Sequence, residues 1–170
     1  MRTLLECEEV NPDKPDDNGR TPLLIAARGG YEEVVKILLE LQEVDLDKLE
    51  NSGQTPLSHA AIFGHGGVVK ILLERQEVNP DKPDNACWTL LSYAAWEGYE
   101  GVVKMLLEQE EVNPDKPDKF GRSPLSYAAW FGHEGVVKIL LGREEVNPGK
   151  PDNACGHRSP MPLGKDMKEW

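Results

Sequence analysis

The sequence predicts an all-α solenoid, built from stacked helix pairs joined by extended fingers. First, the heptapeptide VNPDKPD at Val10–Asp16 returns at Val78–Asp84 and Val112–Asp118, with the variants VDLDKLE at Val44–Glu50 and VNPGKPD at Val146–Asp152, so each copy starts 34 residues after the last. Second, a short Ala-Ala segment follows each of the first four copies, and third, an apolar segment of helical period follows that one. An unbroken period of this size marks units that bury their core against their neighbours rather than within themselves.

The short segment reads GRTPLLIAARGG, GQTPLSHAAIFG, CWTLLSYAAWEG and GRSPLSYAAWFG in successive units. Thr21, Thr55, Thr89 and Ser123 stand where an N-cap hydroxyl accepts from free backbone N–H groups, and Pro22, Pro56 and Pro124 follow at the first helical position, where a missing N–H costs nothing. The Ala-Ala pairs allow another helix to come close, and a glycine ends the helix.

The second segment reads YEEVVKILLE, HGGVVKILLE, YEGVVKMLLE and HEGVVKILLG. Val34, Ile37, Leu38 and Leu41 recur at i, i+3, i+4 and i+7, which predicts one apolar face on an amphipathic helix. Each heptapeptide is extended, because its prolines remove donors and push their predecessors out of helical geometry. These signals define an array over 1–155, with four full helix pairs at about 21–41, 55–75, 89–109 and 123–143 and a partial unit at each end. Leu4 and Leu5 share the phase of Leu38 and Leu39. An irregular tail covers 156–170, and its Met161, Leu163, Met167 and Trp170 are candidates to fold over the open end of the stack.

A tetratricopeptide repeat also has a 34-residue period, but it joins helices of similar length by short turns. Here a proline-rich finger takes about a third of each unit. In its recurring pattern, G-x-T-P-L-x-x-A-A-x-x-G-[HY]-x-x-V-V-K-x-L-L, the chain resembles the ankyrin repeat over about 1–153. It departs from the usual family pattern at Leu24, Ser58, Ser92 and Ser126, where histidine is customary, and it has one extra residue in the finger. The lengthened finger also resembles those of ankyrin arrays in filamentous fungi that accompany NACHT-type receptors.

Composition narrows the function classes. Hydrophobic residues make up 39% and charged residues 29%, with a mean hydropathy of −0.51, and no apolar run approaches bilayer-spanning length. The net charge of −11 disfavours nucleic acid and anionic membranes, which both demand a basic footprint. The opening MRTLLECEEVN lacks the apolar core of a secretory signal, so the expected compartment is the cytosol, with the nucleus as second choice.

The three cysteines fit a reducing compartment. Cys87 and Cys155 occupy equivalent positions two units apart, about 20 Å by helix spacing, too far for a disulfide. His65 and His133 are separated in the same way and cannot share a metal. They are expected to start the second helix and bond neighbouring backbone, as Tyr31 and Tyr99 do at that phase. No ligand spacing typical of zinc occurs, and Lys14, Lys82 and Lys116 interrupt the acids of the heptapeptide against calcium. The expected catalytic residues, metal sites, cofactors and small-molecule substrate are therefore none.

What remains is surface recognition. The resemblance implies a non-catalytic module that grips a protein partner with its finger tips and the exposed side of its first helices, the concave face. By phase these positions include Arg20, Arg28, Phe63, Trp88, Trp96, Phe120, Arg122, Trp130 and Phe131. Trp96, Trp130 and Phe131 form the expected hot spot, with Phe63 and Trp88 alongside. A second reading takes the array as a structural or regulatory segment of a larger protein, without a partner of its own. The face is near neutral in a strongly acidic chain, or slightly negative once Asp16, Glu50, Asp84 and Asp118 at the finger bases are included.

Overall fold

A computed structural model describes residues 11–149. The described residues form four helix pairs: α1 (Pro22–Gly29) with α2 (Glu32–Leu39), α3 (Pro56–Ile62) with α4 (Gly66–Leu73), α5 (Leu90–Glu97) with α6 (Glu100–Leu107), and α7 (Pro124–Trp130) with α8 (Glu134–Leu141). The expectations for Leu4, Leu5, Cys155 and the tail lie outside the described residues.

Each first helix starts as its sequence dictates. The hydroxyl of Thr21 accepts from Leu24 N, Thr55 from Ser58 N, Thr89 from Ser92 N and Ser123 from Ser126 N, at 3.1–3.3 Å. Caps of this kind are worth about 1 kcal/mol each. Gly30 and Gly98 cap α1 and α5 in the left-handed region, whereas Phe63 and Phe131 cap α3 and α7 and the left-handed glycine follows one residue later.

The terminating glycine also receives the next unit. A Cβ on Gly30 would strike the ring of His65, one on Gly64 the ring of Tyr99, and one on Gly98 the ring of His133. Behind those rings, His65 Nε2 donates to the carbonyl of Arg28 at 2.9 Å and His133 Nε2 to that of Trp96 at 2.8 Å. The in-phase histidines bond neighbouring backbone, as their position suggested.

First helices pack on first helices and second on second, so two rows run side by side. Ala60, Ala61, Ala94 and Ala95 are fully buried and let the first row close up, while Val69, Leu72, Val103 and Leu106 fill the space beneath. The apolar face expected for α2 needs correction. Val34 is 45% and Ile37 49% exposed, and the buried residues are Val35 and Leu38. At the phase of Val34, however, Val68, Val102 and Val136 are buried. The same position is open in the first unit and buried in the three that follow, a difference that helical periodicity alone does not reveal.

The heptapeptides form a third row, the fingers, interlocked by their lysines. Lys48 Nζ reaches back to the carbonyl and carboxylate of Asp13 at 3.2 and 2.6 Å, and Lys116 Nζ makes the same pair of contacts to Asp81 at 2.9 and 2.7 Å. Lys82 reaches the carbonyl of Asp47 at 3.0 Å but its carboxylate only at 3.7 Å. In that copy Leu46 and Leu49 replace the prolines, and burial raises the carboxyl of Asp47 above its usual range despite Asn79 N–H and Lys82. Lys82 and Lys116, which argued against calcium, are thus rungs of a ladder with Lys48, each worth at most about 1 kcal/mol once solvent screening is counted.

Candidate protein-binding face

Each finger closes in a tight tip above the start of its first helix. The backbone N–H of Asp16, Glu50, Asp84 and Asp118 donates to the carbonyl four residues on, at 2.9–3.0 Å. Three residues past each acid the chain turns left-handed, at Gly19, Gly53, Cys87 and Gly121. Cys87 is the one residue other than glycine, among those described, with positive φ, 63°.

Asp84 and Asp118 turn inward and act as structural acceptors, whereas Asp16 is exposed. Asp118 Oδ1 accepts from the backbone of Phe120 and Arg122 at 2.8 and 2.9 Å, and its Oδ2 accepts from the hydroxyl of Tyr127 at 2.5 Å. Asp84 repeats this with Ala86 N, Trp88 N and the hydroxyl of Tyr93, at 2.8, 2.9 and 2.5 Å, and Gln54 Nε2 donates to that same hydroxyl at 3.1 Å. Burial, reinforced by the carboxylate, pushes both phenols well above their ordinary range, so they stay protonated donors.

In the first two units the same slot holds other chemistry. Asp16 takes the guanidinium of Arg20, with Nε at 2.9 Å and Nη2 at 2.7 Å, and this pairing holds its carboxyl below the usual carboxylate range. Glu50 faces the ring of His59 across 3.1 Å without the alignment of a hydrogen bond. His59 is buried, and burial lowers its pKa against the opposing pull of Glu50.

Between the third and fourth units an aromatic cluster spans the joint. The ring of Trp88 lies 4.4 Å from Tyr127, 4.9 Å from Tyr93 and 5.3 Å from Trp96. Trp96 continues it, edge-on to Tyr127 at 5.5 Å and tilted against Phe131 at 4.3 Å. These are the offset and edge-to-face arrangements that ring quadrupoles favour. Trp88 and Trp96 are half-buried, while Phe120, Phe131 and Trp130 are 39%, 42% and 67% exposed. Lys119 Nζ and the Arg122 guanidinium lie 5.1 and 5.2 Å from the ring centre of Phe120. Nearer the first unit, the half-buried Phe63 carries Arg28 over its ring at 5.2 Å.

The structure therefore gathers Trp88, Trp96, Phe131, Phe120 and Arg122 in adjoining units and leaves Arg20, Arg28 and Phe63 toward the other end. Trp96 and Trp130 share a phase but not an environment: the next unit covers Trp96, and Trp130 stands open. Sequence reasoning passed over Tyr93 and Tyr127, which knit the cluster. Their signal was present, because each follows a finger-base aspartate by nine residues. A separate groove of about 750 Å³ opens beside the finger stems of the third and fourth units, lined among others by Arg75, Glu77, Lys82 and Lys116. Both of its lysines are already committed to ladder aspartates. Among the described residues no three His, Cys, Asp or Glu side chains converge in a way that could hold a metal ion, and no helix is long and apolar enough to cross a membrane.

Among the described residues, eight short helices in two stacked rows, with a third row of fingers and a broad surface of rings, define a repeat solenoid whose candidate site is a face rather than a cleft. The family model for ankyrin repeats (three copies) matches residues 1–84 and 76–152, and the chain belongs to the ankyrin-repeat family. Its members are generally protein–protein interaction modules and typically non-catalytic. A search of curated proteins found no match.

Proposed function

We propose that the array over 1–155 is a non-catalytic module that holds a protein partner on its finger and first-helix face, centred on Trp88, Trp96, Phe120, Phe131 and Trp130. The observation that carries this reading is the continuity of the aromatic cluster from half-buried rings to exposed ones. Clusters of large apolar groups open to water are costly to keep, and interface hot spots are enriched in tryptophan and arginine near a desolvated centre. Each large ring can bury roughly 150–250 Å², so three rings supply a large share of the ~800 Å² that one partner contributes to a standard interface.

The test is an interaction screen with the full chain, its Phe120→Ser and Trp130→Ser variants, and Leu141→Ser as a control in the second-helix row. The expected result is a partner lost with both face variants and kept with the control, at unchanged thermal midpoints. A partner insensitive to the face variants but lost with the control would move the site to the other layer.

A further inference from the structure

The fourth unit offers a seat that the three before it have filled. Rings of the following unit, those of His65, Tyr99 and His133, lie where a Cβ would stand on Gly30, Gly64 and Gly98. Gly132 has the same left-handed backbone, with φ 71°, yet among the described residues nothing beyond its chain neighbours comes within 4 Å of that point. The helix before it is open in the same way. Ala27, Ala61 and Ala95 are fully buried whereas Ala129, at their phase, is exposed, and Leu125 is half-buried where Leu23, Leu57 and Leu91 are buried. Trp130 and Phe131 stand exposed beside this end. Covering contiguous apolar surface of this kind is favourable.

The sequence beyond the fourth unit carries apolar groups at the matching distance. Met161, Leu163, Met167 and Trp170 follow Tyr127, Ala129, His133 and Val136 by 34 residues each. In the second and third units those phases hold His59 and Tyr93, Ala61 and Ala95, and Val68 and Val102, all buried, and the rings of His65 and Tyr99 that seat on glycine. Met167 thus falls where the seated ring falls, and an unbranched thioether fills an irregular gap readily. Charge favours the same occupant over a second copy, whose net −11 opposes its own approach. Over 150–170, Lys150, Arg158, Lys165 and Lys168 outnumber Asp152, Asp166 and Glu169.

We propose that residues 156–170 cover the end of the fourth unit, with Met167 over Gly132 and Leu163 against Ala129, and so compete with a partner for Trp130 and Phe131. The competition rests on the proposed binding role of the face; the covering does not. A partner that displaces this segment binds with an affinity reduced by the fraction of chains in which the end is open.

Hydrogen–deuterium exchange of the full chain, free of partner, tests the covering. Amides over 160–170 are expected to exchange more slowly than those of an unstructured peptide and to lose that protection in Ala129→Lys. Exchange over 125–134 is expected to quicken in the Met167→Ser, Trp170→Ser double variant, which alters no described residue and keeps the test open should Ala129→Lys fail to melt cooperatively. Free-peptide exchange over 160–170 in the parent chain, or protection indifferent to both variants, overturns the proposal and leaves the binding face standing. Protection that grows with protein concentration, with dimers in sedimentation, overturns it in favour of a second copy. With a partner from the interaction screen, the double variant is expected to bind about tenfold more tightly if about nine in ten parent chains are covered. Equal affinity for parent and double variant overturns the competition, whereas partners indifferent to Trp130→Ser and Phe120→Ser overturn the face and leave the covering to the exchange result.

Discussion

The two halves of the proposed binding face are built on one backbone and filled with different chemistry. In the third and fourth units the slot between finger base and first helix holds a tyrosine hydroxyl on an aspartate, and rings stack across the joint. In the first and second it holds Arg20 on Asp16 and His59 opposite Glu50, and the joint carries Phe63 under Arg28, stacked against His59 and His65 at 6.2 and 6.4 Å. The repeat frame thus fixes where side chains meet, while their identity decides whether the slot holds a phenol–carboxylate hydrogen bond or an ion pair and a titratable histidine.

The largest way to break this comparison is Trp96→Ala. The ring touches Trp88, Tyr127 and Phe131, so its loss is expected to cost about 2–4 kcal/mol in urea unfolding, against about 1 kcal/mol for Phe63→Ala. Equal costs would mean that the two halves are equally packed. Next comes Tyr127→Phe, which strands Asp118 Oδ2 and is expected to cost about 1–2 kcal/mol. Amide exchange read over Lys119–Arg122 should rise with it.

Cys87→Gly runs the other way. Cys87 adopts a left-handed conformation that glycine holds without strain, so the change is expected to raise stability by about 0.5–1 kcal/mol after the added freedom of the unfolded chain is counted. A destabilised C87G variant would show that the thiol contributes a contact worth more than the strain.

The smallest effect is in pH, and it belongs to the N-terminal half alone. Burial depresses the folded pKa of His59, so the folded state binds fewer protons than the unfolded one. Its stability is full above the unfolded value of about 6.5 and declines as pH falls through that value toward the folded one. Converting the pair to the arrangement of the other half, His59→Tyr with Glu50→Asp, should flatten the unfolding midpoint between pH 7 and 5. A slope that persists in the double variant would assign it to another group.

Much of this was legible in the sequence because it is local. The caps at Thr21, Thr55, Thr89 and Ser123, the extended fingers and the helix rows follow from spacing within one unit. What escaped was contact between units. Val34 reads as core by helical period and is exposed, whereas Val68, Val102 and Val136 at the same phase are buried. The lysine of VNPDKPD reads as an interruption among acids, and its partner aspartate lies 35 residues upstream. At the face, phase gathered the aromatic candidates but did not distinguish Trp96, covered by the next unit, from Trp130, which is open. Nor did it show that Asp84 and Asp118 turn inward as acceptors for tyrosine hydroxyls.

The lysine ladder has a consequence for how such a chain can change length. Each lysine seeks an aspartate at a fixed place in whichever unit precedes it, and each aspartate serves whichever unit follows. Unequal crossing-over between two copies of the heptapeptide inserts or deletes whole multiples of 34 residues and leaves every rung with a partner. The protein tolerates such products because the rungs are interchangeable. A slip of one residue within a finger has no such protection, since it moves a lysine off its aspartate and strands a buried carboxylate.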